Sequence, residues 1–243
     1  MRHGRSTANT DLVLAGRTPG VALDEVGRAQ AAELAQRLGE RAADVVAVAR
    51  SPLQRCAETV APLVAALTGV PEIVVDALAE VDYGDWTNRP LAELAKEPLW
   101  RVVQDHPSAA TFPDGEGETA GMPGESIAAM AARAVAAVRE LDAAVALEHG
   151  ADTVWVAVSH GDVIKAILAD AAGTHLDLFQ RVVVDPASVS VVRYTGSRPF
   201  VVRTNDIGGS LAGLVPRPAA AQAAEPHSSG DAAVGGGAGT PPA

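Results

Sequence analysis

DTVWVAVSHGDVIKAILADAAG, residues 152–173, opens on a short apolar run, turns at Ser159-His160-Gly161 and continues with apolar residues at helical spacing. An unbroken apolar run of this length fits a strand buried on both faces, and a strand that passes through a tight turn into a helix is half of a parallel βαβ unit. The same order occurs upstream. DVVAVARS (44–51) is followed by SPLQRCAETVAPLVAALTG (51–69), which predicts a helix with Ser51 as N-cap, Pro52 at the first helical position and Gly69 at its end. EIVVD (72–76) reads as a second short strand. In DEVGRAQAAELAQRL (24–38), Gly27, Ala31, Leu34, Ala35 and Leu38 share one helix face and Gly39 is a candidate C-cap, while 124–150 reads as one long helix. SVSVVRYTGSRPFVVRTN (188–205) is two β-rich runs around a turn, the pattern of a hairpin. Strands alternating with helices predict an α/β fold, a three-layer αβα sandwich around a mostly parallel sheet.

Residues 77–124 are less regular, with helices expected near 91–96 and 99–106, and read as an insertion over one end of the sheet. Residues 1–216 are expected to form one domain. The tail, 217–243, is Ala, Pro, Gly and Ser with almost no large apolar residue, so it is expected to be disordered and to contribute neither stability nor rate.

Composition narrows the function. Net charge is −11, which disfavours nucleic acid and anionic membrane as partners and requires any bound anion to be drawn by a local basic cluster. The single cysteine, Cys56, allows no intrachain disulfide and reads as a small buried hydrophobe. No signal-like segment or membrane-length apolar run is present in the sequence, and a cytoplasmic location is expected. His106, His149, His175 and His227 show no metal-ligand spacing, so neither a metal nor another cofactor is expected; oligomeric state is not readable.

Ligands of open α/β sheets sit outside the carboxyl ends of the strands. The residues that follow the apolar runs are Arg50, Ser51 and Arg55 after the first, Ser159, His160 and Gly161 after the last, and Glu80 after the second. The N-terminus adds RHGRSTAN, residues 2–9. Histidines, arginines and one carboxylate on one rim form a set suited to phosphoryl chemistry, because planar guanidinium forks match phosphate oxygens and a neutral imidazole can attack phosphorus.

Taken in order, RHGRSTAN, LDEVGRAQA, SPLQRCAET, EVDYGDW, GES and VSHGDVIKAIL resemble the histidine phosphatase superfamily, in its phosphoglycerate-mutase-like branch, over about residues 2–205. The resemblance implies that His3 is a nucleophile forming phosphohistidine, that Arg2, Arg55 and His160 grip the phosphoryl oxygens, that Glu80 is the proton donor and that Asn9 adds a hydrogen bond. Asp82 and Asp85 lie close enough to Glu80 to serve in its place, and Arg5 and Arg17 read equally well as solvated loop residues. The function implied is hydrolysis of a small phosphomonoester. Alternatives are a phosphomutase and a non-catalytic module binding phosphorylated ligands, and specificity is expected from the insertion around Trp86, Trp100 and Pro113.

The resemblance also implies an apolar strand immediately before RHG, in the interior of the sheet, where this sequence has only Met1. Without it, strands about 4.8 Å apart are separated by a gap of about 10 Å and His3 sits on a free chain end. The expectation is a first interior strand missing from the N-terminus, roughly six to eight residues rich in Val, Ile or Leu, encoded upstream.

Overall fold

The computed structural model describes residues 1–150, 153–208 and 234–237. Its main elements are α1 (Thr7–Thr10), α2 (Glu25–Leu38), β1 (Val45–Arg50), α3 (Gln54–Ala66), β2 (Glu72–Val74), α4 (Leu91–Leu94), α5 (Pro98–Asp105), α6 (Ile127–His149), β3 (Val154–Val158), α7 (Gly161–Ala171), β4 (Val189–Arg193) and β5 (Phe200–Asp206). Strands β2, β1 and β3 pair in parallel in that order, with Ala49 opposite both Ile73 and Ala157.

Side chains alternate across a strand, and β3 uses both faces. Val156 and Val158 pack with Cys56, Val60 and Leu63 of α3. Trp155 and Ala157 pack on the other face with Val138 and Leu141 of α6 and Ile167 of α7. Helices thus cover both sides of the sheet, giving the αβα layering. No helix among the described residues is long and apolar enough to cross a membrane.

Three helix ends differ from the sequence reading, one of them the end of α3, which closes at Ala66 with Leu67 as C-cap and not at Gly69. Helix α3 begins at Gln54 after Leu53, not at Pro52, because Ser51 turns toward His160 (Oγ to Nε2, 2.7 Å) and its hydroxyl meets the helix only through Leu53 N–H at 3.3 Å. Gly39 does not end the helical run: α2 passes directly into a 3-10 turn over Gly39–Asp44. At the other end of α2, Asp24 Oδ1 accepts from Gly27 N–H at 2.7 Å.

The hairpin β4–β5 forms its own antiparallel pair. No strand is assigned between it and β3 among the described residues; Met1–His3 span the gap with main-chain bonds to both sides. Toward β3, the Met1 amino group donates to Ala157 O at 2.7 Å, Ser159 N–H to Met1 O at 3.0 Å and His3 N–H to Ser159 O at 3.0 Å. Toward β4, Arg2 N–H donates to Ser188 O and Ala187 N–H to His3 O, both at 3.0 Å. His3 is therefore held from both sides and is 2% exposed, where the sequence reading left it on a loose end.

The insertion builds a core of its own. Val81, Tyr83, Trp86, Leu94, Trp100 and Phe112 pack with Ile127 and Met130 of α6 and Val163 of α7. Trp86 and Trp100 stack with centroids 6.2 Å apart.

Candidate active site

The rim at the carboxyl ends of β1 and β3 brings together Arg2, His3, Arg55, Glu80 and His160, each at most 3% exposed. Burying that many ionisable groups is expensive unless they are paired or serve a charged ligand. Close packing begins with Gly4: a Cβ there would lie 2.6 Å from Gly27 O, and one on Gly27 would lie 1.9 Å from Arg5 O. Glycine at both positions lets the RHG turn sit directly on the first turn of α2.

His3 Nδ1 lies 2.7 Å from Gly4 O, so this nitrogen carries the proton and donates, leaving the lone pair on Nε2. Arg55 Nε–H points at that Nε2 from 3.3 Å, and Arg55 Nη2 donates to Gly16 O at 2.8 Å. Burial, with Arg55 and Arg2 nearby, holds His3 well below the usual histidine pKa, so its ring is neutral near pH 7. His160 lies beside it, ring centroids 5.1 Å apart, and is likewise lowered by burial and by Arg55. Among the described residues, buried His160 Nδ1 and Arg55 Nη1 have no hydrogen-bond partner. Ser51 Oγ accepts from Leu53 N–H and can donate its own proton to His160 Nε2, an arrangement that puts the proton of the neutral ring on Nδ1. Two buried donors without a partner on one site call for an acceptor, since buried polar atoms are nearly always satisfied.

Glu80 has the opposite tuning. Burial, then the nearby charge of Asp162, pushes its carboxyl up to about 7, against its one internal bond from Val81 N–H at 3.1 Å. Asp82 and Asp85 are engaged elsewhere: Asp82 pairs with Arg17 at 2.8 Å, and Asp85 accepts from Thr119 at 3.2 Å and Arg89 at 3.5 Å. The cleft beside His3 is lined by Glu80 and not by either aspartate. Cys56 is fully buried, its thiol pushed up to about 12 by that burial, and is inert as a nucleophile.

Three placements bear on the sequence reading. Trp86, Trp100 and Pro113 do not line the cleft, whose lining includes Tyr83 and Leu91 of the insertion beside Ser6, Asn9 and Leu12. Asn9 reaches the cleft, but its Oδ1 is engaged by Ser6 N–H and Oγ–H at 3.1 and 2.9 Å, closing a capping box on α1. Third, Val234–Gly237 of the segment expected to be disordered are packed at the site. Val234 is 1% exposed, Gly235 N–H donates to Asp162 Oδ2 at 3.0 Å, and Arg2 Nη2 donates to Gly235 O and Gly237 O at 3.4 and 2.8 Å. The other residues of 217–243 lie outside the described residues.

Sequence reasoning also passed over Arg133, Glu125 and Asp162. Arg17, left open there, proves to be tied to the main chain of Glu80 through Nε–H to Glu80 O at 2.7 Å. Arg5 pairs with Asp24 at 2.5 Å.

Comparison with known proteins agrees with this geometry. Residues 1–207 match the family model of the histidine phosphatase superfamily (branch 1). A mycobacterial glucosyl-3-phosphoglycerate phosphatase solved with VO3 superimposes with a TM-score of 0.70 at 25% identity, covering 84% of this chain and 96% of that one. The alpha-ribazole phosphatase of Shigella flexneri shares the fold at a TM-score of 0.69 and 21% identity, with 87% and 96% covered. In sequence, the chain is 36% identical over 106 residues to the "Probable phosphatase" of Schizosaccharomyces pombe, 44% of this chain and 49% of that protein. It is 49% identical over 65 residues to an uncharacterized protein of Mycobacterium tuberculosis, 27% of this chain and 31% of that protein. The matched segment thus spans less than half the length of either relative. With a family model matched over nearly all of its described residues, the chain belongs to the histidine phosphatase superfamily.

Proposed function

We propose that this protein hydrolyses a small phosphomonoester through a phosphohistidine on His3. The observation that carries the reading is a neutral imidazole with its lone pair on buried Nε2, beside two buried donors that lack an acceptor. A phosphoryl group accounts for all three: Nε2 attacks phosphorus, while Arg55 Nη1 and His160 Nδ1 donate to its oxygens. Arg2 is a further guanidinium for the phosphoryl oxygens, and the amide NH2 of Asn9 is the end of that side chain able to donate. Phosphoryl transfer asks mainly for positioning and charge stabilisation, which these groups supply.

The first step forms the Nε2–P bond and breaks the P–O bond to the alcohol. The departing alkoxide takes its proton from Glu80, which burial keeps protonated near neutral pH. In the second step the now ionised Glu80 accepts a proton from water, whose oxygen attacks phosphorus and restores His3. The likeness to a glucosyl-3-phosphoglycerate phosphatase, and His3, Arg55 and Glu80 in the lining of the cleft, favour small phosphorylated metabolites as substrates. A panel of phosphomonoesters that includes phosphoglycerates, with released phosphate and isomerised ester measured separately, tests this. Phosphate release is expected to dominate; isomerisation without release would identify a mutase, and binding without either a non-catalytic module.

Because arginines supply the positive charge, EDTA is expected to leave the rate unchanged; a loss reversed by added Mg2+ or Zn2+ would contradict this mechanism. The contacts of Val234–Gly237 compete with a phosphate for Arg2. Removing 234–243 is expected to increase kcat/KM several-fold and tighten inhibition by inorganic phosphate. It should also lower Tm by a few degrees, since the buried Val234 side chain is worth about 1.5 kcal/mol or more. An unchanged phosphate inhibition constant would show that the segment does not contest the site.

A further inference from the structure

Glu80 is the proposed proton donor, yet among the described residues its carboxyl is bonded only by its neighbour Val81 N–H. Its position is therefore set by its main chain, and that main chain is held from outside the site. Arg133, on the second turn of α6, donates from Nη1 to Ala77 O at 2.7 Å and Ala79 O at 2.8 Å, and from Nη2 to Glu80 O at 3.0 Å. Arg17 Nε–H reaches the same Glu80 carbonyl at 2.7 Å. Both guanidinium groups are fixed by Glu125. Its carboxylate takes Arg133 Nε and Nη2 at 2.6 and 2.9 Å and Arg17 Nη2 at 3.4 Å. Glu125 Oε2 also accepts from Asp82 N–H at 3.2 Å, and its own N–H donates to Asp82 O at 2.8 Å, so the segment is clasped on both sides of Glu80.

Resting on the reading of Glu80 as proton donor, we propose that Arg133 and Arg17, oriented by Glu125, are positioning residues that place the Glu80 carboxyl for transfer to the leaving group. A planar guanidinium suits this task because it meets several carbonyls at once in a fixed geometry, which a lysine cannot do. The brace is expected to act on Glu80 chiefly through place, although the charge of Arg133 also helps to lower His160. The upward displacement of Glu80 comes mainly from burial and Asp162, with Arg55, the Val81 N–H bond and Arg2 opposing it, and neither brace arginine is among these main causes.

That separation defines the experiment. Arg133→Met and Arg17→Met are assayed at steady state on an alkyl phosphate and on p-nitrophenyl phosphate, whose leaving group needs little protonation, across pH 5–9. Glu80→Gln is run in parallel, and Tm is measured for each. Misplacing a catalytic group by about 1 Å costs on the order of 100-fold. Arg133→Met is expected to lose about 30-fold to 100-fold in kcat on the alkyl ester and at most about threefold on the aryl ester. Arg17→Met, which keeps the Arg133 bonds, is expected to lose about tenfold and threefold or less respectively. In both, the basic limb of the pH profile stays where it is in the parent protein. Should Arg133→Met fail to fold, Arg17→Met decides alone, since Arg17 is a partly exposed loop residue. Equal losses on both esters, no loss, or a moved basic limb would overturn the brace. If Glu80→Gln discriminates between the esters and the arginine variants do not, the brace alone falls. If Glu80→Gln itself fails to discriminate, the donor reading falls and the brace with it.

Discussion

Replacing His3 with alanine is expected to reduce turnover of every phosphomonoester by about 10^4-fold or more, with the fold retained. In the proposed mechanism the side chain is the attacking group, and it is also the point at which Arg55 and the Gly4 carbonyl converge; among the described residues nearby, Cys56 is buried with its thiol pushed up to about 12, and Ser6 is spent on the cap of α1. The fold survives because Met1–His3 are tied to Ala157, Ser159, Ala187 and Ser188 by main-chain bonds that alanine keeps. Circular dichroism and Tm check the fold, and phosphate release on the best substrate checks the rate. Activity within tenfold of the parent would end the phosphohistidine proposal.

Glu80→Gln is expected to lose about 10^2-fold to 10^4-fold in kcat on alkyl phosphates and far less on aryl phosphates, since only the former need a proton on the departing oxygen. Glutamine preserves the shape and can still accept from Val81 N–H, so the loss reports the proton. The pH profile carries a second sign. A group held near 7 donates below that pH and is ionised above it, so the parent's alkyl-ester rate should fall as pH rises through and beyond 7. The variant should lack that limb. Stability follows the same group. Below the ordinary carboxyl value both folded and unfolded chains are protonated at Glu80, whereas from about 4.5 up to 7 only the unfolded chain ionises, which weakens the folded state as pH rises. Glutamine removes that penalty, so the variant's Tm advantage over the parent should be larger at pH 8 than at pH 4.5. Matching losses on both ester classes would point away from Glu80 as the donor.

The strand, turn and helix units were legible because they are local: a five-residue apolar run and a 3.6-residue period mark β3 and α7 without reference to anything distant. The site residues at strand ends were legible for the same reason, since topology puts them on one rim. What could not be read depends on contacts across the chain. Ser51 has the chemistry of an N-cap, and only its 2.7 Å approach to His160, 109 positions away, shows why α3 starts later. Arg133 looks like any arginine on a long helix until the carbonyls of Ala77, Ala79 and Glu80 are brought to it. Trp86 and Trp100 promised a substrate wall, but they stack on each other, and Trp86 meets Phe112 edge-on, which uses their area in the insertion's core. Val234 stands in a sequence too poor in apolar residues to signal order, and its burial comes from a pocket beside Leu14 and Tyr83 that other parts of the chain provide.

The central claim is that the phosphoryl group passes through His3. Mixing the protein with a turned-over phosphomonoester, quenching in alkali within a turnover, and mapping the N-terminal peptide by mass spectrometry tests it most directly. The account predicts one added phosphoryl group on His3, stable in alkali, lost in acid and absent from His3→Ala. A protein that releases phosphate at full rate while His3 stays unmodified at every quench time would contradict it.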